Sequence, residues 1–136
     1  MEESTLKALK GSIRKWWHIA YSDGQDGGVM NCALCLEFYN FPIDCYSCPV
    51  QEATGYPFCE NSPYSEWDAF SHEERSWYKE DGTYHYPSAV KEFPKERQEK
   101  AKKLAIAELD FLVSLLPPGE SWEDPEGWVW YSDRRE

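Results

Sequence analysis

Five cysteines, Cys32, Cys35, Cys45, Cys48 and Cys59, fall within one stretch of 28 residues, and the rest of the 136-residue chain has none. Their spacing is C-x2-C-x9-C-x2-C-x10-C. An odd number excludes complete disulfide pairing within one chain. The N-terminal stretch MEESTLKALKG is charged and lacks an apolar core, so the sequence-based expectation is no secretory signal and a reducing compartment. Thiols there stay reduced or bind metal. Each C-x2-C pair offers two thiolates from one turn, and two pairs satisfy a tetrahedral structural zinc. The same donors suit an iron–sulfur cluster, although cluster-binding runs are spaced more tightly. Zn2+ is therefore the expected cofactor and an iron–sulfur cluster the alternative.

Which four cysteines ligate is open. Cys32, Cys35, Cys45 and Cys48 form the simplest set. A set using Cys59 with one full pair and one member of the other would tie residues 49–59 into the site. His18, His72 and His85 have no knuckle-like spacing to a cysteine. A closed four-thiolate site has no open position, so it is structural rather than catalytic. Two C-x2-C pairs argue against cysteines packed merely as small hydrophobes. They also fit poorly with thiol–disulfide catalysis, which needs a low-pKa thiol. Glu37, Asp44, Glu52 and Glu60 surround these cysteines with negative charge and oppose that.

The elements that must position this stretch lie on either side of it. Residues 4–21 read as a helix, because Leu6, Leu9, Ile13, Trp16, Trp17 and Ala20 recur at spacings of three and four. Ser4 suits an N-cap, and Gly11-Ser12 is a candidate break with Ser12 capping the second part. Asp23-Gly24 through Gly27-Gly28 ends the helix. Pro42, Pro49, Pro57 and Pro63 exclude long helices from residues 29–64, which should form turns, knuckles and at most a short hairpin. Residues 65–80 return to a helical pattern, with a second candidate break where Ser71 and Glu74 fit a capping box. Residues 81–94 read as irregular. Residues 95–116 form the clearest helix, with an apolar stripe at Ala105, Leu109, Leu112 and Leu116, and Pro117-Pro118 stops it. The expected fold is mainly α, a small α+β fold being the alternative. Helices at both ends of the chain pack together, with an irregular metal-knuckle segment between them. Residues 1–116 form one domain, with the knuckle at 29–64. Residues 117–136 are an acidic, Trp-rich tail with a candidate strand at Trp128–Tyr131, either packed on the domain or separate from it.

Charge narrows the partners. The chain carries 14 basic and 25 acidic residues, net −11, and its mean hydropathy is −0.74. Residues 32–82 hold two basic and ten acidic residues, net −8. No apolar run approaches the ~20 residues of a membrane helix. Direct nucleic-acid binding needs a basic face, and the cysteine-rich middle has the opposite sign. An acidic face meets a basic protein instead. The candidate partner-binding residues are Glu60, Glu66, Asp68, Glu73, Glu74, Glu80 and Asp81. The chain is also 16% aromatic, a content that serves both a core and a binding surface.

The order Ser12-Ile13-x-Lys15-Trp16, Cys32-x-Leu34-Cys35, Cys45-x-x-Cys48-Pro49-Val50, Gly55, Cys59, Pro63-Tyr64-x-x-Trp67 and Glu108-Leu109-x-Phe111-Leu112 resembles a diffuse set of small uncharacterised proteins of bacteriophages and mobile elements. The resemblance spans roughly residues 12–116. It implies a genomic setting and no chemistry. In that setting, by analogy, a small acidic protein acts in the host cytoplasm as an inhibitor of a nucleic-acid-binding defence system such as CRISPR-Cas, that is, an anti-CRISPR protein. The expected function is thus non-enzymatic: a metal-stabilised viral protein acting by protein–protein contact. Two alternatives remain, an iron–sulfur or redox-sensing protein and a zinc-knuckle nucleic-acid-binding protein that uses the basic stretch Lys95–Lys103. An enzyme is disfavoured, because the sequence holds no nucleophile motif, no H-E-x-x-H and no phosphate loop.

Overall fold

The computed structural model describes residues 1, 3–22, 24–26, 33–34, 39–40, 43–44, 48–56, 61–73 and 87–120, with 39–40 and 43–44 as backbone only. The fold is mainly helical. Helix α1 spans Glu3–Tyr21, α2 spans Pro49–Thr54, α3 spans Pro63–Glu73 and α4 spans Gln98–Ser114. Two short strands, β1 (Tyr39–Asn40) and β2 (Ile43–Asp44), pair antiparallel with Tyr39 opposite Asp44. Two 3-10 turns, Val90–Glu92 and Lys95–Arg97, lead into α4.

Helices α1 and α4 pack against each other, and α3 packs on α4. The α1–α4 pair is antiparallel. Lys102 near the start of α4 lies 5.3 Å from the Tyr21 ring at the end of α1, and Glu120 beyond α4 reaches Lys10. The predicted stripe of α4 is the buried one: Ala105, Leu109 and Leu112 face the core, joined by Ala101, while Leu116 is half-buried. They meet Ala8, Leu9, Ile13, Trp16, Ile19 and Ala20 of α1. Each fully buried side chain of Leu or Ile size contributes about 1.5–3 kcal/mol.

Aromatic rings join α3 to this pair. Trp16 sits edge-on to both Tyr64 and Trp67, with centroids 5.8 and 5.4 Å apart. Phe93 stacks on Phe70 at 5.1 Å and meets Trp67 edge-on at 5.6 Å. Such pairs add about 0.5–1.5 kcal/mol beyond the area they bury.

Two expected breaks are absent, for one physical reason. Helix α1 runs through Gly11-Ser12 because Ser12 Oγ, instead of capping a new helix, accepts the Leu34 backbone N–H at 3.1 Å. Helix α3 runs through Ser71 because its hydroxyl donates to the Pro87 carbonyl at 2.6 Å. Both hydroxyls bond distant backbone, so neither is spent on capping a new helix. Helix α3 also starts two residues earlier than the pattern suggested, because Pro63 suits a first helical turn. Residues 74–80 of that expected helix, and the candidate strand Trp128–Tyr131, lie outside the described residues.

Glycine closes α1. The amides of Ser22 and Gly24 both donate to the His18 carbonyl, at 2.9 and 3.1 Å. A Cβ on Gly24 would stand 2.7 Å from the His18 carbonyl carbon and from the Ile19 nitrogen, both backbone atoms. Only glycine fits there. Among the described residues no helix is long and apolar enough to cross a membrane.

Candidate functional site

The cysteine-rich stretch is approached through the residues that hold it to the helices. Ala33 and Leu34, the two residues inside the first C-x2-C, are buried, Leu34 at 3% exposure. The Leu34 amide is tied to Ser12 on α1, so this turn rests against the middle of that helix. In the second pair, Cys48 is 4% exposed and precedes α2, its carbonyl accepting from Glu52 N–H at 2.9 Å. Pro49 opens α2 at a position where its missing N–H costs nothing. Gly55 closes α2 in the left-handed conformation, φ 80°, with its N–H on the Gln51 carbonyl.

Leu34, Cys48 and Val50 belong to the same core cluster as α1 and α4. Described residues of both C-x2-C stretches are therefore pinned to one core. Between them, β1 and β2 reverse the chain, and Cys45 follows Asp44 directly. Cys32, Cys35, Cys45 and Cys59 lie outside the described residues, and among the described residues no three His, Cys, Asp or Glu side chains gather in one place.

A buried ion pair, invisible to the spacing argument, fixes the chain just before the first cysteine pair. Lys15 Nζ donates to Asp26 Oδ1 at 2.8 Å, with the two side chains 3% and 8% exposed. The other carboxylate oxygen of Asp26 accepts from Tyr64 Oη and Trp67 Nε1, both at 3.1 Å. The Asp26 amide donates to the Ser88 carbonyl at 2.7 Å. Asp26 thus joins α1 and α3 through its carboxylate and the segment before α4 through its amide. The lysine ammonium also lies 5.3 Å from the Trp16 ring, a cation–π contact. Charges this buried are tolerated only when paired and hydrogen-bonded, as here. The sequence signal for it was slight: Lys15 occupies a phase of α1 between Ile13, Trp16 and Ile19, where a charge is out of place. Glu108, 3% exposed among the apolar residues of α4, carries the same signal.

The acidic candidates divide. Glu66 is exposed on α3. Asp68 pairs with His72 one turn on, at 3.5 Å, while His72 Nδ1 also lies 2.7 Å from the Asp68 carbonyl. Glu73 pairs with Arg97 at 3.3 Å. Glu60, Glu74, Glu80 and Asp81 lie outside the described residues, as does His85. His18 is half-buried, its ring edge-on to Trp17. In the basic stretch Lys95–Lys103, Arg97 and Lys100 both lie over the Phe70 ring, at 4.2 and 4.9 Å. These two cations serve the α3–α4 contact.

Several residues singled out in the sequence have identifiable physical roles. Ser12 and Lys15 hold loops, Trp16, Tyr64 and Trp67 form the aromatic joint, Gly55 takes a positive φ, and Leu109 and Leu112 fill the core. No protein-family model matches the chain, and neither a curated protein nor a solved structure is significantly similar to it.

Proposed function

We propose that the protein is a non-enzymatic binding protein in which a four-thiolate structural zinc site braces residues 29–64 against the helical core, and an acidic surface engages a basic protein partner. The observation that carries the metal reading is the tandem C-x2-C spacing. Its support from the fold is that Leu34, which lies inside the first C-x2-C, and Cys48 of the second share one core cluster on either side of a chain-reversing strand pair. The net charge of −8 over residues 32–82 supports the partner reading. A cytoplasmic setting suits reduced thiolates. The phage resemblance makes a nucleic-acid-binding host defence complex the first partner to test, since an acidic surface competes there with phosphate.

The test is metal analysis by mass spectrometry, with a visible spectrum, on anaerobically purified protein. One zinc per chain and no colour is the expected result. Iron with a broad band near ~400 nm would replace zinc by a cluster and move the function to redox or cluster sensing. A folded chain holding no metal would overturn the reading.

A further inference from the structure

Several aromatic rings of this protein hold a cation of the same chain. Lys15 lies 5.3 Å from the Trp16 ring, Lys102 5.3 Å from Tyr21, and Arg97 and Lys100 at 4.2 and 4.9 Å from Phe70. Tyr56 differs. It is 48% exposed and stands outside the core cluster, and among the described residues no ring and no cation lies against it. No lysine or arginine occurs between Lys15 and Arg75, so its neighbours in sequence supply none.

The backbone that carries this ring is held at both sides. Pro49 and Val50, at the start of α2, are buried in the core. At the other end Gly55 N–H donates to the Gln51 carbonyl at 2.7 Å and closes the helix. The Tyr56 amide donates to Thr54 Oγ1 at 3.1 Å, and the Thr54 hydroxyl donates to the Tyr56 carbonyl at 3.3 Å. Nothing lies within 4 Å of the place a Gly55 Cβ would take, so this tip is open to a partner. Glu52 and Ala53, in the last turn of α2, are exposed beside it in sequence. A ring whose face is electron-rich, together with a carboxylate on the same exposed tip, suits a cation.

We infer that this tip is where the acidic surface grips its basic protein partner: an arginine of the partner stacks on the Tyr56 ring and pairs with Glu52. The inference rests on the proposal of a basic partner, and adds to it a contact residue and the side chain that meets it. Arginine suits the tip better than lysine, because a planar guanidinium covers the ring while its N–H groups stay available to the carboxylate. Tyrosine and arginine are also the residues that carry much of the energy at protein interfaces.

The test is an anisotropy titration of a labelled hexa-arginine peptide with the full-length chain at low salt, beside a hexa-lysine peptide. Tyr56→Ala should weaken hexa-arginine binding about two- to fivefold, the size of an exposed cation–π contact, and narrow the preference over hexa-lysine. Its thermal unfolding midpoint should not move, since the side chain is exposed and outside the core. Tyr56→Phe keeps the ring and should bind as the unaltered chain does. Tyr21→Ala removes a comparably exposed ring that already holds Lys102, and should leave binding unchanged. Unchanged binding by Tyr56→Ala, or an equal loss in Tyr21→Ala, would overturn the inference and leave the acidic surface standing. No binding of either peptide by the unaltered chain would overturn the basic-partner reading and this inference with it.

Discussion

Residues 3–21 and 98–114 bury Leu, Ile, Ala and Trp side chains at helical spacing, whereas residues 29–64 carry five cysteines and four prolines with few large aliphatic side chains. The helices pack on each other and on α3, and Leu34, Cys48, Val50 and Phe93 share their core. Among the described residues, the cysteine-rich stretch meets that frame through Leu34 on Ser12, and through Cys48 and Val50 in the core. A segment with so little apolar material of its own needs another source of order. The contrast teaches where each kind of perturbation should act: burial changes should unfold the frame, and thiolate chemistry should loosen only what the frame carries.

If residues 29–64 hold the proposed zinc, the largest effect should come from its removal. Structural zinc supplies on the order of 10–16 kcal/mol in isolated zinc peptides, and that binding energy is folding energy. Chelation should therefore abolish amide protection across residues 29–64 while protection in α1 and α4 persists. Hydrogen exchange with and without chelator checks this. Equal loss in both regions would erase the distinction between frame and knuckle.

Within the frame, Trp67→Ala should cost about 3–5 kcal/mol, the range for deleting a buried aromatic side chain. Trp67 is 1% exposed, touches Trp16 and Phe93, and donates to Asp26. Lys15→Ala should cost a comparable ~3–5 kcal/mol, because it leaves the Asp26 carboxylate buried without its lysine partner. Urea unfolding reads both. The double variant Lys15→Met/Asp26→Asn should recover part of that loss, since it removes both charges together. A double variant as unstable as Lys15→Ala would show that geometry, not charge, matters there.

Gly24→Ala tests the joint between the two regions. Its methyl group would meet the backbone of His18 and Ile19 at 2.7 Å, and backbone cannot swing aside as a side chain does. A cost of about 1–3 kcal/mol is expected, as for other forced overpacking. Thermal unfolding measures it.

How much of this was legible beforehand follows from the kind of interaction involved. The stripe Ala105, Leu109 and Leu112 was readable because burial imposes a period on the sequence. Gly11-Ser12 and Ser71 misled because a serine's local options are visible in sequence, while its distant acceptor or donor, the Pro87 carbonyl or the Leu34 amide, is not. Lys15–Asp26 joins residues 11 apart through a turn that no period encodes. The tandem C-x2-C pairs are read as a donor set from residue type and spacing alone, and four of the five cysteines lie outside the described residues.

The smallest effect on stability should be at Glu73, and there the frame and the binding surface separate most cleanly. Glu73→Lys breaks a pair with Arg97 in which the carboxylate side chain is 62% exposed. Pairs of that kind are worth roughly 0–1 kcal/mol, so the unfolding midpoint should barely move. If the acidic face recruits a basic partner, the same substitution, combined with Glu66→Lys and Asp68→Lys, should cut binding severalfold at low salt. The difference from the unaltered chain should shrink as salt is raised, because screening weakens exposed charges. Pull-down of basic proteins at two salt concentrations measures it. Unchanged capture by the triple variant would remove α3 from the binding surface and leave Glu60, Glu74, Glu80 and Asp81 as the acidic residues to test.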